Sequence, residues 1–110
     1  MSSWFGGNSD QAQAYDQYNS VEQPHESSVS HELISGAAAF EAAKAYEKHV
    51  SQNGQPQSHA EAKEIIAGLA GAFIDREFET KGLDFIDKEK AKRDAKRQAQ
   101  EAYDNNNGQF

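Results

Sequence analysis

The sequence predicts an all-α fold: a central antiparallel helical hairpin, with a C-terminal helix and a short N-terminal helix completing a small helical bundle. Three observations predict it. Apolar residues recur at helical spacing through three long segments. Capping and stop signals separate those segments at the intervals a hairpin needs. No segment alternates as a half-buried strand would. At 110 residues the chain fits one domain. The expected division is a polar N-terminal segment over 1–27, a helical domain over 28–103 and a tail over 104–110.

The first element is "SDQAQAYDQY", a short helix with Ser9 as N-cap and Ala12 and Tyr15 on one side. "NSVEQPHES" then reads as a polar loop broken at Pro24. The second helix is capped by Ser28 or Ser30, whose hydroxyl can accept from an otherwise unpaired backbone N–H. Val29, Leu33, Gly36, Ala37, Phe40, Ala43 and Val50 mark its buried face, and Lys48 and His49 suit the negative end of its dipole. "NGQPQ" stops it: Gly54 can take a positive φ, and Pro56 cannot continue a helix.

Ser58 and Glu61 open the third helix as an S-x-x-E capping box. Its expected apolar face is Ala62, Ile65, Ile66, Leu69, Ala72 and Phe73. Gly82 suits the left-handed position that ends a helix, with Leu83 folding back on Phe78 in a Schellman turn. Asp84 is the expected N-cap of the fourth helix, with Asp87 in its first turn. That helix carries a narrow stripe of Ile86, Ala91, Ala95, Ala99, Ala102 and Tyr103, and an i,i+4 pair of Glu89 with Arg93.

Only 36% of the residues are hydrophobic, and many of those are alanine. A thin core is therefore expected, resting on Leu33, Ile34, Phe40, Ile65, Ile66, Leu69, Phe73, Phe78 and Ile86. The net charge of −7 disfavours nucleic acid as a partner. It is unevenly spread. Residues 1–60 hold Lys44 and Lys48 against seven acids, whereas "KEKAKRDAKR" at 88–97 is locally basic. The absence of cysteine removes disulfides and thiolate chemistry. "MSSWFGG" lacks the pattern of a secretory signal. The apolar run "IIAGLAGAFI" falls short of the roughly 20 residues that span a bilayer.

The two long helices repeat one pattern. "ELISGAAAFEAAKAYE" at 32–47 aligns without a gap on "EIIAGLAGAFIDREFE" at 64–79, placing Gly36 on Gly68, Ile34 on Ile66 and Glu47 on Glu79. A mid-helix glycine weakens a helix by about 1 kcal/mol relative to alanine. Close packing of the two backbones would offset that loss. The expectation is a seam of Gly36, Ala37, Phe40, Gly68, Leu69 and Gly71 where the second and third helices cross.

The phrases "SHELISGAAAFEAAKAYEKH", "SHAEAKE" and "AGLAGAFIDREFETKGLDFIDKEKAKRDAKRQA" carry a resemblance. The sequence closely resembles the CipC-like antibiotic response proteins of fungi, with "KGLDFID" the most specific phrase and "WFGGNSDQAQAYDQ" similar to that family's N-terminus. The resemblance implies a small, stress-associated intracellular protein. It implies no catalytic residue, since no agreed activity comes with the family.

Other constellations are weighed on their chemistry. His25, His31, His49 and His59 invite a metal, but His31 and His59 start different helices and so lie at opposite ends of an antiparallel hairpin, leaving His49 and His59 to meet across the connecting loop. His31, His49 and His59 remain weak candidates, and no metal or cofactor is expected. The acids Asp75, Glu79, Asp84 and Asp87 read as caps and surface pairs. No phosphate loop or nucleophile elbow is present, so no enzyme is expected. Lys88, Lys92 and Lys96 lie on one helix stripe, and Trp4 and Phe5 form an aromatic pair at a polar terminus. These five are the candidate partner contacts.

The expected function is a non-enzymatic stress or antibiotic response protein acting by partner binding or self-association, its protein partner unknown. The expected location is cytoplasmic, with the nucleus left open and no transmembrane segment. The alternatives are a small-molecule, haem or lipid-binding bundle, and membrane-surface binding by the basic C-terminal helix.

Overall fold

The computed structural model describes residues 10–20 and 30–106. Among them are four helices and no strand: α1 (Asp10–Asn19), α2 (His31–Asn53), α3 (His59–Lys81) and α4 (Lys88–Asn106). The bundle is all-α, with α2 and α3 as an antiparallel hairpin. α4 returns beside both and runs in the direction of α2: Ser35 meets Ala91 near their starts, and Tyr46 meets Tyr103 near their ends. α1 crosses α2 at Gly36.

Local signals set most of the boundaries. Ser30 caps α2 by accepting from the Leu33 N–H at 3.1 Å. Ser58 caps α3 by accepting from the Glu61 N–H at 3.1 Å. The return half of that capping box reaches one residue further than expected: the Glu61 carboxylate accepts from the Gln57 N–H at 2.9 Å. α3 ends at Gly82 in the left-handed region, φ 61° and ψ 56°, whose N–H donates to the Phe78 carbonyl. This single bond is the simpler αL ending in place of a Schellman turn.

Three boundary expectations are corrected. The cap of α4 is Asp87, whose carboxylate accepts from the Lys90 N–H at 3.1 Å; Asp84 lies in the preceding turn. α2 continues to Asn53, so Lys48 and His49 fall before its last turn. α4 continues to Asn106, into the stretch expected as a tail. Ser9, Ser28 and Val29 lie outside the described residues.

α2 is the centre of the molecule. Every residue from Leu33 to Ala39 is buried, followed by Ala42, Ala43 and Tyr46. Seven consecutive buried residues cover the whole circumference of a helix, which makes 3.6 residues per turn. Only neighbours on several sides can bury them, and α1, α3 and α4 supply these. The alanines follow from this crowding, since small side chains let three helices approach one axis. α4 answers with its own ladder: Ala91, Ala95 and Ala99 are fully buried. The Ser35 hydroxyl, buried in this contact, donates to the Ala91 carbonyl at 3.3 Å.

Bulky side chains fill what the alanines leave. Tyr18, Ile34, Ile66, Ile74 and Leu83 are fully buried. Phe40, Ile65, Leu69 and Phe78, expected at full depth, pack only partly buried at its edge. α3 is rotated from the expected face: its buried line runs Ala62, Ile66, Ala70, Phe73, Ile74 and Glu77, while Ala72 is exposed.

The glycine seam is corrected as well. Gly36 is buried, but it faces α1: a Cβ built on it would lie 3.0 Å from the Ala14 Cβ. Gly71 is buried beneath α4, where a Cβ would meet the Lys96 Cε at 3.2 Å. Gly68 faces open space with no atom within 4 Å. The three glycines thus serve three different surfaces. Ala37 is buried, whereas Phe40 and Leu69 pack at the core's edge.

Candidate functional site

The stripe of Lys88, Lys92 and Lys96 lies along α4 at i,i+4 spacing, and it leans toward α3. Lys88 and Lys92 each place an Nζ 3.2 Å from the Asp75 Oδ1. Burial pushes the Asp75 carboxyl up, but its bonds to Lys92 and Lys88 outweigh this and hold it below the ordinary carboxylate range. The stems of Lys92 and Lys96 cross the Gly71 notch, where a Cβ would meet their Cε atoms at 3.5 and 3.2 Å, and the Lys92 ammonium reaches Asp75. Two of the three lysines expected as free contacts are therefore ion-paired.

An open groove of about 500 Å³ runs along α4 and includes Lys92 and Lys96 of that stripe, with Lys63 contributed by α3. Its walls carry the cations Lys63, Lys92, Arg93, Lys96 and Arg97 against the acids Glu89, Glu101 and Asp104. Some of these cancel. Lys63 pairs with Asp104 at 2.9 Å, and Arg97 with Glu101 at 3.4 Å. Lys96 and Arg93 have no acid within ion-pair distance among the described residues, and the expected Glu89–Arg93 pair does not form. None of Lys63, Arg93 and Arg97 is among the partner contacts expected from the sequence. The latter two were legible within "KEKAKRDAKR"; Lys63 joins them only through the antiparallel register of α3 on α4.

A second cluster ties α1 to α3. The buried Tyr18 hydroxyl donates to the Glu77 Oε1 at 2.7 Å, and the Lys81 Nζ reaches the same oxygen at 3.0 Å. Arg76 approaches the Glu77 Oε2 at 3.3 Å while lying over the Phe73 ring. Burial pushes the Glu77 carboxyl up, but Tyr18, Lys81 and Arg76 together hold it below its ordinary value. Burial and the hydrogen bond to Glu77 push the Tyr18 phenol far above the usual tyrosine range. A satisfied, paired carboxylate of this kind fastens helices together.

The candidate metal ligands are not brought together. The His31 Nε2 accepts from the Asp87 N–H at 3.1 Å, which joins the start of α2 to the start of α4. His49 lies 3.4 Å from the Asn53 amide, four residues on in the same helix. The His59 Nδ1 lies 2.6 Å from the Tyr103 hydroxyl, at a separate cleft beside Pro56. Among the described residues no three metal-ligating side chains converge. His25, Trp4 and Phe5 lie outside the described residues. No helix among those described is long and apolar enough to cross a membrane.

No curated protein and no solved structure matches the chain. One family model does, over residues 14–106, which span every helix from the middle of α1 to the end of α4. The chain belongs to the family described as Virulence factor CipC-like.

Proposed function

We propose that this chain is a partner-binding protein of a cytoplasmic stress response, with no chemical step of its own, and that it meets an acidic protein segment in the groove along α4 beside Lys63. One observation carries the reading: Lys96 and Arg93 stand in that groove without an acidic partner among the described residues. The chain as a whole carries a net charge of −7. Against that background a local cationic groove selects where an acidic segment can approach. The stress context rests on the resemblance to antibiotic response proteins.

A dye-labelled polyglutamate peptide tests this by fluorescence anisotropy. Binding to the wild type should weaken steeply with added salt, because exposed charges are screened within a Debye length. The double variant Arg93→Glu, Lys96→Glu should lose it, with an unchanged circular dichroism spectrum. Equal binding by wild type and double variant would overturn the assignment. Binding to anionic vesicles but not to the peptide would replace the protein partner with a membrane surface.

A further inference from the structure

The groove along α4 has a charge order of its own. Glu89 lines one end of it, and Glu101 and Asp104 line the other. Between them on α4 stand Lys92, Arg93, Lys96 and Arg97. Lys92 and Arg97 lie five positions apart, about 8 Å along the helix at 1.5 Å per residue. The cationic stretch is short, and acid brackets it on both sides.

Ion pairing narrows it further. Lys92 is committed to Asp75, Arg97 to Glu101 and Lys63 to Asp104. Arg93 and Lys96 have no acid within ion-pair distance among the described residues. Their i,i+3 spacing makes them neighbours on one helix face. What remains is two positive charges one turn apart, with an acid beyond each end.

A long acidic run fits this poorly. Along an extended chain, side chains on one side recur about every 7 Å. One or two carboxylates would lie over the cations, and the next would meet Glu89 or Glu101. A phosphorylated side chain instead carries about two negative charges on a single group at pH 7. Its oxygens can accept the paired N–H groups of a guanidinium and a bond from an ammonium together. A membrane surface or a nucleic acid strand would press further phosphates against the bracketing acids, whereas a peptide can carry one.

We propose that the segment received in this groove is a phosphorylated peptide, with its phosphate on Arg93 and Lys96 and basic residues on either side. This rests on the groove being the partner site argued above, and it names what that site selects. The flanking bases follow from spacing. Along α4, Glu89 lies about 8 Å and Glu101 about 10 Å from the midpoint of Arg93 and Lys96. Three residues of extended peptide cover about 10 Å. A lysine three positions before or after the phosphorylated residue therefore faces an acid.

Fluorescence anisotropy with dye-labelled, end-blocked heptapeptides tests this on the full chain. Lys-Ala-Ala-phosphoserine-Ala-Ala-Lys has almost no net charge, so a general attraction for anions does not bind it. It should bind the wild type about tenfold or more tighter than its unphosphorylated form, and tighter than heptaglutamate. Arg93→Lys keeps the charge and loses the planar fork. It should weaken the phosphopeptide about threefold or more and change heptaglutamate binding by less than about twofold. Glu89→Gln should weaken the phosphopeptide and strengthen heptaglutamate. Equal binding of the phosphorylated and unphosphorylated peptides, or tighter binding of heptaglutamate, would overturn the phosphate and leave the acidic partner standing. Displacement of the peptide by an equal concentration of inorganic phosphate would assign the site to the free ion and overturn the peptide. If neither the phosphopeptide nor heptaglutamate bound, both readings would fall.

Discussion

Replacing Gly68 by alanine should stabilise the protein, although Gly68 occupies the middle of a long helix and aligns with a buried glycine in the repeat. Its environment supplies the magnitude. A Cβ there meets nothing within 4 Å, and the residue does not use a positive φ. The substitution therefore gains helix propensity, about 0.8–1 kcal/mol, with no packing loss. For a domain of this size, 1 kcal/mol moves the melting temperature by roughly 4–8 °C. Thermal unfolding followed at 222 nm should show a rise of about 3–8 °C. Gly36→Ala is the internal control. It has the same propensity gain, but its Cβ would lie 3.0 Å from Ala14, so α1 must move away by a few tenths of an ångström. Its gain should be smaller than that of Gly68→Ala, or negative. A lowered melting temperature for Gly68→Ala would mean that this face is covered, and would refute the packing described above. Equal gains at both positions would refute the seating of α1 on Gly36.

Ala95→Leu should destabilise by about 1–3 kcal/mol, because Ala95 is fully buried between α4 and its neighbours, whereas Ala72→Leu on the exposed face of α3 should stay within about 0.5 kcal/mol; urea midpoints decide both. Ser58→Ala should cost about 1 kcal/mol by leaving the Glu61 N–H without its acceptor, again read from urea unfolding. The Glu77 carboxyl is held below its ordinary value, so its contribution is present above the unfolded carboxyl pKa of about 4.3 and is lost as pH falls through the folded value. The stability curves of wild type and Glu77→Gln should therefore converge on the acid side. A gap that persists unchanged into acid would locate the carboxylate's role elsewhere.

Helix existence, helix ends and the narrow stripe of α4 were legible in the sequence because they depend on neighbours along the chain. Ser30, Ser58 and Gly82 act within a turn of their own position, and no distant residue is needed to read them. The alanine ladder of α4 stands out because charged residues surround it. The facings of α2 and α3 were not legible. Both are apolar around most of their circumference, so the pattern that reveals a buried face has little contrast there. Equivalent glycines in the repeat could then be placed on one seam, when in the fold one meets α1 and the other meets solvent.

The polar clusters depend on register still more strongly. Tyr18 and Glu77 are 59 residues apart, and Lys63 and Asp104 are 41 apart. Nothing local marks either pair. The sequence by itself determined that there would be helices and where most of them begin and end, since backbone hydrogen bonds and caps are short-range. Only the packing of four helices decided which small residues touch, which lysines pair with Asp75, and which cations are left without an acid among the described residues.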